Sequence, residues 1–100
     1  MAYQSRMQSP SMDALFSAIL SLENIEECYR FFEDVCTAAE LEALSQRFEV
    51  ARMLQAKCTY QDIAEKTGAS SATISRVKRS LRYGADGYHI ILDRMREAQE

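Results

Sequence analysis

One hundred residues carrying a net charge of −3 fit one domain with a short tail, and 47% hydrophobic content with only three glycines and one proline favours a helical protein over a sheet or a disordered chain. No apolar run approaches the roughly 18 to 20 residues of a membrane span, and the start MAYQSRMQSP lacks the apolar core of a secretion signal. Cys28, Cys36 and Cys58 contain no C-x-x-C pair, which argues against a disulfide framework and for a reducing, cytoplasmic setting with the thiols as small apolar residues.

Every long segment has helical period. Residues 1–10 read as a flexible tail, and residues 11–100 as a single helical domain. Ser9 or Ser11 opens a first helix whose Met12, Leu15, Phe16, Ile19 and Leu22 share a face. Asn24 is placed to cap a second, with Ile25, Cys28, Tyr29, Phe32 and Val35 three and four residues apart. Thr37-Ala-Ala-Glu40 has the form of a capping box for a third helix, which runs through Leu41, Leu44, Phe48, Ala51, Met53 and Leu54 to about Lys57. Val50 and Met53 lie off the line of Leu44, Phe48 and Ala51. A helix apolar on more than one side is central to something, and in so small a chain that something includes a second copy of itself.

Thr59-Tyr-Gln-Asp62 is a second capping box in outline, opening a short helix that Gly68 ends. Ser70 or Ser71 starts the next helix, which reaches Tyr83 and stops at Gly84, a residue suited to the left-handed C-terminal position. After Asp86-Gly87 a last helix spans about 87–98, with Tyr88, Ile91, Leu92 and Met95 on its apolar side. About six helices and no strand are expected, an all-α fold.

Residues 60–79, YQDIAEKTGASSATISRVKR, match the helix-turn-helix pattern. Ile63, Ile74 and Val77 fall where two helices bury side chains against each other, Ala64 at their closest crossing, and Gly68 at the turn, where positive φ is required. The outward set is then Ser70, Ser71, Ala72, Thr73, Ser75, Arg76 and Arg79. Hydroxyls bond phosphates or bases, Ala and Thr methyls meet a thymine methyl, and Arg grips guanine with two hydrogen bonds. Lys78 and Arg82, with Lys57 and Lys66, are expected at phosphates.

The charge distribution agrees. Residues 1–45 carry two bases and eight acids, whereas residues 46–84 carry eight bases and three acids, a net +5 facing the need for an anionic partner. The partner expected is double-stranded DNA. The competing reading is a helix-turn-helix used for protein contact, and the acidic run Glu23, Glu26, Glu27, Glu33 and Asp34 reads as a solvated face that repels DNA from the wrong side.

The stretches TAAELEALSQRFEVARML, TYQDIAEKTGASSATISR and YGADGY, from Thr37 to about Met95, resemble the Trp repressor, and more closely the small Trp-repressor-related proteins of the YerC/YecD family. The acidic LENIEECYRFFEDVCT is similar to the same family. The resemblance implies an intertwined homodimer in which residues 11–57 supply the dimerisation helices and residues 59–83 the helix-turn-helix. Two recognition helices would then meet a near-palindromic operator about 34 Å apart, and the regulator would act as a repressor.

The resemblance also implies an effector pocket. In the Trp repressor two arginines sandwich the corepressor indole, and Arg47 and Arg76 match them; Thr37 and Ser80 match other pocket positions. Val77 departs from the pattern, since the repressor has glycine there. A β-branched side chain in the ring's place predicts a filled pocket and a regulator indifferent to tryptophan. A ligand-responsive repressor, binding tryptophan or another small molecule, is the alternative.

No cofactor, metal or membrane partner is expected. His89, the only histidine, lies between Tyr88 and Ile90 without a nucleophile or paired acid, and with the cysteines it lacks ligand spacing, so neither an enzyme nor a metal site is expected.

Overall fold

Helix caps and apolar spacing divide the chain into six helices in the computed structural model, which describes residues 3–99 and has no strand among them. These form two compact units, Met1–Thr37 and Ala38–Glu100. No helix among the described residues is long and apolar enough to cross a membrane.

In the first unit, α1 spans Pro10–Leu20 and α2 spans Ile25–Val35. Ser9, the earlier of the two candidate serines, caps α1 by accepting from the Met12 amide at 3.0 Å, and Pro10 opens the helix with its φ preset. Asn24 caps α2 by accepting from the Glu27 amide at 2.9 Å, while the Glu27 carboxylate accepts from the Glu23 amide at 2.9 Å. Each capping side chain satisfies an amide that the helix itself leaves without a partner. Phe31 and Phe32 stand edge to face, 5.4 Å apart. None of the described side chains of this unit is buried, and Leu20 and Ile25 remain 85% and 74% exposed.

The second unit holds the core. Its elements are α3 (Ala38–Gln55), α4 (Tyr60–Thr67), α5 (Ser71–Tyr83) and α6 (Gly87–Gln99), and α3 packs against each of the other three. Val50, Ala51 and Met53 of α3 meet Ile63, Ala69, Ile74 and Val77 in one buried cluster, with Leu54, Cys58, Ala64, Leu81, Tyr88 and Leu92 partly buried around it. Val50 and Met53 are therefore covered by helices of their own chain, which accounts for the breadth of the apolar face there. Towards the other end of α3, Leu44 stays 47% exposed.

The ends of these helices are set by distinct devices. At the end of α3 the Cys58 amide donates to Met53 O and the Lys57 amide to Leu54 O, both at 3.0 Å, the two bonds of a Schellman motif. Lys57 occupies the left-handed position at φ 67°, where glycine is usual. Gly68 ends α4 in the expected left-handed conformation, φ 71° and ψ 7°, with its amide bonded to Ala64 O. Gly84 departs from expectation: it closes α5 in extended backbone, φ −84° and ψ −156°. Glycine is needed there for room, since a Cβ would collide with the Ser80 carbonyl. The left-handed residue of that connection is Asp86, at φ 67°, and α6 begins directly after it. His89 Nε2 lies 2.7 Å from Leu81 O and ties α6 to α5.

Left-handed backbone costs an L-residue about 1–2 kcal/mol relative to glycine. Lys57→Gly is therefore expected to raise the free energy of urea unfolding by about 1 kcal/mol, and Gly68→Ala, whose added methyl meets open space, to lower it by about 1 kcal/mol. Gly84→Ala is expected to lower it further, because its methyl meets backbone.

Candidate nucleic-acid interface

The helix-turn-helix is fixed by short polar contacts at its turn. Thr59 caps α4 by accepting from the Asp62 amide at 3.1 Å. At the other end Thr67 Oγ1 donates to Ile63 O at 2.7 Å and accepts from the Ala69 amide at 3.1 Å, while Gln46 Nε2 reaches from α3 to Thr67 O at 3.1 Å. Gly68, Ala69 and Ser70 form the turn, and Ala69 is buried beneath it. Ser70 then caps α5 by accepting from the Thr73 amide at 3.1 Å, and its hydroxyl also contacts Thr73 Oγ1 at 3.2 Å.

Burial of Ile74 and Val77 sets the rotation of α5 about its axis. Ser71, Ala72, Ser75, Arg76, Arg79 and Arg82 are exposed, as is Ser70 at the turn, whereas Thr73 and Lys78 are half-buried. The exposed face begins with small and hydroxyl side chains, Ser70, Ser71, Ala72 and Ser75, so a backbone or base edge can approach closely there; Arg76 and Arg79 follow. Ser70 and Thr73 are engaged with each other and with the cap, which leaves Ser71, Ala72 and Ser75 as the small side chains without an internal hydrogen bond on that face.

Charge is unbalanced on α5. It carries Arg76, Lys78, Arg79 and Arg82 and no acid. Among the described residues the ion pairs lie elsewhere, each within one helix and exposed: Arg30 with Glu26 at 3.2 Å, Arg52 with Glu49 at 3.6 Å, and Arg96 with Asp93 at 3.5 Å. Two bases of α5 instead lie over aromatic rings: Lys78 Nζ is 5.5 Å from the centre of the Tyr60 ring, and the Arg79 guanidinium is 6.0 Å from that of Tyr83. The Arg79–Tyr83 pair is spaced i, i+4 and could have been read from the sequence. The Tyr60–Lys78 pair joins two helices, and no local pattern announces it.

Beside this face opens a cleft of about 310 Å³ lined by Arg47, Thr73, Arg76, Val77, Ser80 and Tyr88. It gathers four of the five residues matched to an effector pocket, Arg47, Arg76, Val77 and Ser80. Thr37 belongs to the first unit and is not among its lining residues. Val77, 3% exposed, lines the cleft without filling it. Arg76 lies on both the cleft and the exposed face of α5. Tyr88, a wall of the cleft, reads in sequence only as an apolar position of the last helix.

The profile of the family described as Trp repressor protein matches residues 10–96. The chain belongs to the Trp repressor family. It is 54% identical over 94 residues to YerC of Bacillus subtilis (strain 168), itself uncharacterized, covering 94% of this chain and 90% of YerC. Its fold matches that of a candidate Trp repressor from Staphylococcus aureus with a TM-score of 0.88 and 55% identity over 91% of each chain. A TrpR like protein from Eubacterium eligens ATCC 27750 matches equally, with a TM-score of 0.88 and 59% identity over 90% of this chain and 93% of that one.

The cap at Ser70 can be tested apart from any ligand. Ser70→Ala is expected to lower unfolding free energy by about 1 kcal/mol, and Ser70→Asp, which keeps an acceptor at the cap, to stay within about 0.5 kcal/mol of wild type in chemical denaturation.

Proposed function

We propose that this chain is a sequence-specific, double-stranded-DNA-binding transcriptional regulator that acts as a homodimer, with α5 as the recognition helix in the major groove. The observation that carries this reading is the exposed face of α5, where Ser71, Ala72, Ser75, Arg76 and Arg79 stand together on a helix with four bases and no acid. Small side chains admit the groove edge, and the arginines have the fork geometry for guanine or phosphate. Lys78 and Arg82, on the flanks of that face, suit phosphate contacts, as do Lys57 and Lys66. The membership of the Trp repressor family supports the same reading, and repression in the cytoplasm is its natural form.

The proposed dimer has a physical motive. The first unit buries none of its described side chains, and Phe16, Leu20, Ile25, Tyr29 and Val35 present large apolar groups to solvent. Apolar surface on that scale marks an interface, and interlocking these helices with those of a second copy would cover it. Two α5 helices related by the dimer axis would then read a near-palindromic operator with half-sites about 34 Å apart.

Regulation by tryptophan is not part of the proposal. The repressor's glycine is replaced by Val77, whose isopropyl group sits at the wall of the cleft where the indole would press. Crowding such a site costs about 1–3 kcal/mol. The cleft that Arg47 and Arg76 line favours a second reading, a regulator responsive to another small molecule, and Tyr88 and Ser80 would then shape its choice.

Binding is expected to favour a duplex selected in vitro by the chain over random duplex, and to weaken steeply with salt as counterions are released. Arg79→Ala is expected to weaken the selected complex by about 10- to 100-fold and to relax its specificity. Equal affinity for selected and random duplexes at all salt concentrations contradicts the proposal.

Calorimetry with tryptophan is expected to give no heat with wild type, and Val77→Gly is expected to gain indole binding. Micromolar binding of tryptophan by wild type contradicts the role given to Val77.

A further inference from the structure

Lys78 begins one helical turn after the buried Ile74 and directly after the buried Val77, so its Cβ stands at the border between the core stripe and the exposed face of α5. From there its stem has to travel along protein surface before the ammonium reaches solvent. The ring of Tyr60, the first residue of α4, lies on that path: the Lys78 ammonium is 5.5 Å from its centre, and Lys78 is half-buried where the neighbouring Arg79 is exposed. Tyr60 itself is 40% exposed and lies outside the buried cluster, so packing of the core does not account for its ring.

A lysine ammonium on a flexible four-carbon stem is a poor fixed contact, because binding has to freeze its rotamers. The negative face of an aromatic ring attracts the ammonium and restricts it to one side of α5. The hydroxyl-capped start of α4 holds the ring in place, since Thr59 bonds the Asp62 amide and fixes the first turn that carries Tyr60. No ion pair among the described residues competes for the ammonium.

We propose that Tyr60 is a positioning residue for DNA binding: its ring holds the Lys78 ammonium at the flank of α5 in the orientation that meets a backbone phosphate. The role rests on the DNA-binding reading given above. It assigns to α4 a part in recognition that involves no base contact by Tyr60 itself, so its effect is the same on every duplex sequence.

The test is a double-mutant cycle on the full chain, read by fluorescence anisotropy with the duplex selected by wild type and with a random-sequence duplex. Tyr60→Leu is expected to weaken binding to both duplexes by about threefold, the loss of one exposed cation–π contact. In the Lys78→Met background the same substitution is expected to have no further effect, and Tyr60→Phe, which keeps the ring, is expected to restore binding. Losses that multiply in the double variant overturn the positioning role, as does a Tyr60→Phe variant as weak as Tyr60→Leu, which would assign the contact to the phenol hydroxyl. Wild type that retains neither duplex overturns the DNA-binding reading and this role together; wild type that binds while the cycle shows no coupling overturns this role alone. Unfolding midpoints of the same variants separate both results from loss of the fold.

Discussion

The insertion of Ile74 and Val77 between α3 and α4 is the constraint on which the rest of the second unit depends. With Ile63, Val50 and Ala51 they form the most deeply buried part of the chain. Two side chains three residues apart fix the rotation of a helix, and every other residue of α5 takes its place from that rotation. Ser71, Ala72, Ser75, Arg76 and Arg79 face outward because Ile74 and Val77 face in. The same rotation makes Val77 a wall of the adjoining cleft and puts Arg76 on its rim.

Electrostatics then acts on a surface that packing has already arranged. One exposed arginine on each of α2, α3 and α6 (Arg30, Arg52 and Arg96) has an acid at short range, and such surface pairs contribute little to stability, about 0.2–1 kcal/mol each. Their effect on the charge pattern is larger, since each sets an acid beside a base, whereas α5 carries four bases and no acid. There two of the four bases, Lys78 and Arg79, lie over tyrosine rings, which restrain a cation while keeping its charge. A long-range field focused on one helix follows from this distribution although the whole chain is acidic.

Much of this was legible in the sequence, for local reasons. Ser9, Asn24, Thr59 and Ser70 announce helix starts because capping requires a short side-chain acceptor at a fixed offset from an amide. Ile63, Gly68, Ile74 and Val77 announce the helix-turn-helix because two short helices joined by a tight turn leave few ways to bury side chains. What stayed hidden depends on packing between elements. Lys57 carries no glycine-like signal for its left-handed backbone; the bonds from its own amide and that of Cys58 impose it. Gly84 reads as a conformational glycine and is instead a steric one, pressed against Ser80. The breadth of the apolar face around Val50 and Met53 pointed to a second copy, whereas α4, α5 and α6 of the same chain lie against α3. Tyr60 and Tyr88 gain their places beside Lys78 and in the cleft only from the angles at which α4 and α6 cross α5.

The most direct test of the central claim is a footprint of DNA on the folded chain, read from backbone amide shifts as a selected duplex is titrated in. The account predicts that the largest changes run from Gly68 to Arg82, strongest at Ser71, Ala72, Ser75 and Arg76, with α2 unaffected. Changes centred on the acidic α2, with α5 left unmoved, would contradict it.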